Sequence, residues 1–184
     1  MKIESLAIPA VKLITPKKFG DDRGFFSETW NEKAFTEAGI DARFVQDNQA
    51  YSAKRGTVRG LHYQLAPVAQ DKLVRVIRGA ILDVAVDLRR SSPTYGRHVA
   101  AVLSAENWSQ LWVPKGFAHG YCTLEPDTEV FYKVTALYSP QHDRGILWDD
   151  PALGIAWPVT AATAELSAKD KMQLRLADIA PPFE

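Results

Sequence analysis

The feature that most limits what this chain can fold into is a succession of short β-rich runs parted by turn residues, with little helical periodicity between them. From Ala42 onward they are Arg43 to Gln46, Thr57 to Gln64, Lys72 to Arg78, Ile81 to Leu88, His98 to Leu103, Gln110 to Val113 and Thr128 to Thr135. Strands of this length and spacing predict an antiparallel sandwich or barrel. Helix signals are confined to two places. One runs from Asn31 as N-cap through Glu32, Phe35 and Ala38 to Gly39 as a stop, the other from Ser167 to Met172. The first 15 residues alternate weakly and contain Pro9, which suits an edge strand or an arm lying on a partner subunit. No repeat, low-complexity tract or flexible linker divides the chain, so residues 1–184 are expected to form a single domain.

Composition removes several classes of function. Lysine and arginine together number 22, and so do aspartate and glutamate. No overall basic field therefore draws the chain to nucleic acid or an anionic membrane, and an anionic ligand must meet a local cluster. Lys2, Glu4 and Lys12 interrupt the apolar residues of the N-terminus, against a signal peptide. No stretch approaches the roughly 18 apolar residues of a membrane span. Cys122 is the only cysteine, so neither an internal disulfide nor a multi-thiolate metal site can form within one chain. A soluble cytoplasmic protein is expected.

Strand periodicity assigns faces. In Thr128 to Thr135 it sets Val130, Tyr132 and Val134 on one side and Phe131, Lys133 and Thr135 on the other. A tight turn at Gly79 and Ala80 predicts that Lys72 to Arg78 pairs with Ile81 to Leu88. Lys72, Val74 and Val76 would then share a face with Asp83, Ala85 and Asp87, opposite Leu82, Val84, Val86 and Leu88. If the charged face lined a barrel, Lys72 and an aspartate would need each other; taken alone, this strand pair predicts ordinary surface charges.

Gly56 is followed after five residues by His62, Lys72 after six by Gly79, and further on stands Pro114-Lys115-Gly116-Phe117-Ala118-His119. This spacing resembles the two halves of the cupin motif. Gln64 stands where a metal-binding cupin has its second histidine and Lys72 where it has a glutamate. An ammonium cannot ligate a divalent cation, so the pattern looks like a cupin whose metal has given way to fixed organic charge. Such a set suits proton abstraction beside a carbonyl, with His62 as base and Lys72 steadying the enolate oxygen. Epimerisation also needs an acid on the opposite face, which a tyrosine on an apolar wall such as Tyr132 can provide. No metal or redox cofactor is expected, and the sequence has neither a dinucleotide fingerprint nor a phosphate-binding Gly-Lys-Ser/Thr loop.

The runs Asp22-Arg23-Gly24-Phe25-Phe26, Gln46-Asp47-Asn48, Arg59-Gly60-Leu61-His62-Tyr63-Gln64, Lys72-Leu73-Val74, Asp83 to Arg89, Ser92 to Gly96 and Val113 to Gly120, in this order, closely resemble the dTDP-4-dehydrorhamnose 3,5-epimerase family over nearly the whole chain. The expected fold is all-β, a cupin-like antiparallel double-sheet β-barrel (jelly roll) with a few short helices. The resemblance implies a dTDP-linked 4-keto-6-deoxy sugar as ligand and a homodimer with exchanged N-terminal strands. It implies His62 as proton acceptor held by Asp170, Tyr132 as proton donor, and Lys72 near the ketone oxygen. Arg23, Glu28, Gln46, Asp47, Asn48, Arg59, His119, Asp143 and Lys169 would contact the nucleotide-sugar, with Tyr138 stacking on thymine. Guanidinium suits the pyrophosphate because it offers paired hydrogen bonds. Two positions depart from the family: Asp143 replaces a usual glutamate, and Asp71 a common glycine.

Taken singly, these residues have plainer roles. Ser167-x-x-Asp170 is a capping pattern that would place the carboxylate at a helix start. Tyr132 and Tyr138 could be ordinary strand aromatics, His119 a remnant of the scaffold and Arg23 a turn residue. His98 and His142 are expected at the surface, and the five tryptophans in the core or at subunit contacts. Two other functions stay open at this level: an enzyme of the same fold that inverts one carbon or isomerises the keto group, and a non-catalytic sugar-binding cupin.

Overall fold

The computed structural model describes residues 1–184 as two facing antiparallel sheets. One sheet has six strands in the order β1 (Lys2–Ser5), β2 (Lys12–Thr15), β10 (Gln110–Val113), β7 (Lys72–Arg78), β12 (Thr128–Val134) and β5 (Gln46–Ser52). The other has five, in the order β13 (Asp143–Gly145), β6 (Val58–Gln64), β11 (Phe117–Thr123), β8 (Ala80–Asp87) and β9 (His98–Ser104). A separate hairpin joins β3 (Lys18–Asp21) to β4 (Gly24–Ser27). No helix is long and apolar enough to cross a membrane.

The predicted pairing of the strands on either side of Gly79 does not form. β7 pairs with β10 and β12, whereas β8 pairs with β9 and β11. Gly79, with φ of 76°, carries the chain from one sheet to the other, and a Cβ there would stand 2.4 Å from Thr128 Oγ1. A short turn between two strands looks the same in sequence whether it closes a hairpin or rounds the corner of a sandwich. The side-chain alternation survives, because Lys72, Val74, Val76, Asp83 and Ala85 are all buried. The expectation of surface charge does not survive: Lys72 is 9% exposed and Asp83 fully buried.

Between the sheets lies a core that includes Val74, Val76, Ala85, Leu111, Tyr121 and Val130. The outer face of the five-stranded sheet is also covered. Val84, Val86, Leu88 and Leu61 pack under Leu153, Ile155, Trp157 and Phe183 from the C-terminal segment. This double burial explains why nearly every residue of β8 is buried, with apolar side chains on one face and Asp83 and Asp87 among those on the other. On the other sheet, helix α1 (Glu32–Glu37) sets Phe35 against Leu73 and Trp112. Asn31 Oδ1 accepts from Ala34 N at 3.1 Å and Gly39 takes a φ of 79°, so this helix starts and stops as its sequence signals.

Three elements carry little sequence signal. β11 is central but was legible only as the end of the Pro-Lys-Gly motif. β5 lies at Gln46–Ser52 and not at Arg43 to Gln46, because it is a polar edge strand whose alternate residues face the cleft and not the core. The β3–β4 hairpin leaves Phe19, Phe25 and Phe26 exposed, so it shows no buried face.

Candidate active site

The cleft opens between the two sheets as two adjoining recesses of about 250 Å³ each, which share His62, Lys72, Tyr132 and Lys169. One extends to Tyr138, the other to His119 and Asp170.

β6 brings two residues of unlike parity into the cleft. His62 lies across from His119 and Arg59 across from Tyr121, so β6 spends one more residue than β11 between the two pairs. This bulge turns both His62 and Arg59 inward and leaves Leu61 in the apolar layer behind. It forms where Gly60 meets Gly120: a Cβ on Gly60 would stand 2.6 Å from Gly120 Cα, and one on Gly120 would stand 2.6 Å from Arg59 O. The facing wall is built from register. Tyr132 pairs with Val74 on one side and Asn48 on the other, and Val134 pairs with Lys72 and Gln46. Cross-strand neighbours share a face, so Gln46, Asn48, Lys72 and Tyr132 look into one space.

His62 Nε2 lies 2.5 Å from Asp170 Oδ1. Asp170 lies in the first turn of the short helix α2 (Ala168–Lys171), capped by Ser167. Its Oδ2 accepts from Ser167 Oγ at 2.8 Å and its backbone N donates to that oxygen at 3.1 Å. The capping and dyad roles of Asp170 are therefore one arrangement, in which the cap orients the carboxylate and the free oxygen takes the imidazole. Burial works to raise the Asp170 pKa, but the hydrogen bonds from His62 and Ser167 hold it below the usual value.

Lys72 Nζ donates to the His62 backbone carbonyl oxygen at 3.4 Å, and Lys72 and His62 both line the two recesses. Burial lowers the Lys72 pKa to about 8; Asp83 and Asp143 pull it upward and Lys169 adds to the fall. Burial likewise raises the Tyr132 pKa, assisted by Asp143 and opposed by Arg59, which keeps the phenol protonated at neutral pH.

Of the predicted ligand contacts, Gln46, Asn48, Arg59, His119, Tyr138, Asp143 and Lys169 line the recesses. Asp143, in spite of its short side chain, bonds Lys169 and accepts from Tyr138 Oη at 3.1 Å. Three do not line them. Asp47 faces the other way and pairs with Lys133 at 2.7 Å. Arg23 is at the tip of the β3–β4 hairpin, bonded to Asp21, and Glu28 follows that hairpin. His119, expected as a ligand contact or as a remnant of the scaffold, has a buried partner in Asp83 at 2.6 Å. The signal for it was an aspartate within the apolar run Ile81 to Leu88. Tyr121 and Gln70 also line the recesses and were not foreseen. No three His, Cys, Asp or Glu side chains gather as a metal-ligand set.

The family model described as dTDP-4-dehydrorhamnose 3,5-epimerase matches residues 5–178. The enzyme of that name from Sinorhizobium fredii is 58% identical over 184 residues, spanning 100% of this chain and 94% of its own. Among solved structures, a dTDP-4-dehydrorhamnose 3,5-epimerase from Bacillus anthracis with TDP and PPi bound superposes with a TM-score of 0.92 at 52% identity, covering 95% of this chain and 99% of that one. The dTDP-6-deoxy-D-glucose-3,5-epimerase from Legionella pneumophila, in complex with dTDP-4-keto-L-rhamnose, gives a TM-score of 0.94 at 43% identity, with 100% and 98% covered.

Proposed function

This chain belongs to the dTDP-4-dehydrorhamnose 3,5-epimerase family, and from that premise we propose how its own residues perform the reaction. The protein is an isomerase that inverts carbons 3 and 5 of dTDP-4-dehydro-6-deoxy-D-glucose to give dTDP-4-dehydro-L-rhamnose, a step in dTDP-L-rhamnose biosynthesis.

Both carbons flank the C4 ketone, so one electron sink serves both inversions. The ring nitrogen of His62 not bonded to Asp170 takes the carbon-bound proton, and the C–H electron pair passes into the carbonyl as an enolate. Asp170, ionised and fixed by Ser167, steadies the imidazolium that forms. Lys72 holds the developing oxyanion. His62 comes from the five-stranded sheet and Tyr132 from the six-stranded one, so a planar enolate between the walls has base and acid on opposite faces. Tyr132 returns a proton from its side, which inverts the carbon. The carrying observation is this convergence: a carboxylate-held imidazole, a buried ammonium and a half-buried phenol in one cleft.

The remaining contacts divide by position. Arg59 and Lys169 suit the pyrophosphate, Gln46 and Asn48 line the way to the rim, and Tyr138, 56% exposed, receives the base. We assign Arg23 and Glu28 to the cleft of a second copy in a homodimer. Support comes from the exposed Phe19, Phe25 and Phe26 on their hairpin and from β1, an edge strand paired only with β2.

The test is proton exchange. In heavy water, proton magnetic resonance is expected to find deuterium at both carbons 3 and 5 of the product, and His62→Ala to abolish it. Deuterium at one carbon only would indicate a single-centre epimerase, and none at all a binding protein. Exchange that continues unchanged in His62→Ala would remove histidine from the role of base.

A further inference from the structure

Gln64 occupies the position where a metal-holding cupin has its second histidine, and its amide is fully engaged in another task. Oε1 accepts from Ser139 N at 2.7 Å, while Nε2 donates to Val68 O at 2.7 Å and to Leu137 O at 3.2 Å. The residue is 4% exposed. The segment it grips, residues 135–139, leaves β12 and belongs to no strand. Each of its five residues is tied by a side chain from elsewhere. Thr135 Oγ1 donates to Asp71 Oδ2 at 2.9 Å, and Gln70 Nε2 donates to Ala136 O at 2.8 Å. Gln64 holds Leu137 and Ser139, and Gln46 Oε1 accepts from Tyr138 N at 3.0 Å.

We propose that Gln64 is a positioning residue for nucleotide binding: with Gln70 it clamps the 135–139 segment and so sets the ring of Tyr138 in the orientation that receives the base. The inference rests on the reading of Tyr138 as the base platform. A glutamine amide offers a donor and an acceptor as a peptide group does, and here it replaces the ladder that this segment lacks. The Tyr138 ring is otherwise tied only by its hydroxyl to Asp143. Loosening the segment lowers the fraction of molecules with the platform in place, and apparent affinity falls by that fraction. His62, two residues away on the same strand, is held separately by Asp170, so the chemical step of bound substrate is unaffected.

Gln64→Met keeps the volume and removes the amide. Calorimetry with dTDP and steady-state kinetics with the dTDP-4-keto sugar are expected to show Kd and KM up about tenfold with kcat within about twofold. In a Tyr138→Ala background the same change is expected to add no further loss of dTDP affinity, since the platform is already gone. Unchanged Kd and KM, a loss confined to kcat, or a full additional loss in the Tyr138→Ala background would each overturn the proposal while leaving the platform reading intact. Should Tyr138→Ala alone leave dTDP affinity untouched, the platform reading falls and the clamp's purpose with it. Gln70→Met, which removes one bond at a less buried site, is expected to raise Kd in the same direction and decides the matter if Gln64→Met does not fold.

Discussion

Replacing Lys72 by methionine should make the protein more stable and nearly inactive, and the two effects should separate with pH. Lys72 is 9% exposed, and its pKa falls from 10.5 to about 8, first through burial. A change of that size corresponds to roughly 3 kcal/mol of preference for the neutral amine in the folded state over the unfolded one. Below about pH 8 the lysine is charged in both states and the folded protein carries this cost in full. As pH rises from about 8 to 10.5 the folded protein releases the proton first, the unfolded chain binds more protons, and wild-type stability recovers relative to the variant. Methionine removes the charge but also the hydrogen bond to the His62 carbonyl, a loss of about 1 kcal/mol. The net expectation at pH 7 is a gain of roughly 2 kcal/mol, measured by urea unfolding of both proteins, which shrinks and then reverses by pH 10.5. Over the same range kcat/KM of the wild type should fall as pH passes about 8, because the neutral amine no longer holds an oxyanion. Lys72→Met should lose about 10²- to 10³-fold in kcat at pH 7. A variant that is less stable by the same amount at pH 7 and pH 10, or that keeps its kcat within about tenfold, would refute the assignment of a buried charged lysine at the ketone.

Other changes act on other parts of the cleft. In Tyr132→Phe, deuterium wash-in should survive better than net inversion, since deprotonation by His62 is untouched; equal loss of both, compared by proton magnetic resonance and product analysis, would argue against an acid-only role. Asp170→Asn should lower kcat about 10²-fold or more by depriving the imidazolium of its counter-charge. The wild-type carboxylate, with its pKa held low, adds stability above its unfolded value that is lost as acid protonates it, so the variant's stability should vary less with pH below about 4. Gly60→Ala forces a Cβ to 2.6 Å from Gly120 Cα at a φ of 126° and should cost roughly 2 to 4 kcal/mol in thermal or chemical unfolding. An unchanged Tm would mean that β6 and β11 do not approach so closely.

Local signals in the sequence determined the caps at Asn31 and Ser167, the alternation that turns Lys72, Val74 and Val76 together, and the ordered motifs that carry the family resemblance. These depend on contacts a few residues long, which is why they could be read without coordinates. Only the tertiary structure decided which strands lie side by side, because Gly79 serves a corner between sheets as readily as a hairpin. It brought Asp170 to His62 across 108 residues of chain, turned Arg59 inward through a bulge at two touching glycines, and buried a lysine that strand pattern alone would leave in water. Such features are set by long-range pairing and exclusion of solvent, and a linear pattern holds no record of which distant surface will close over it.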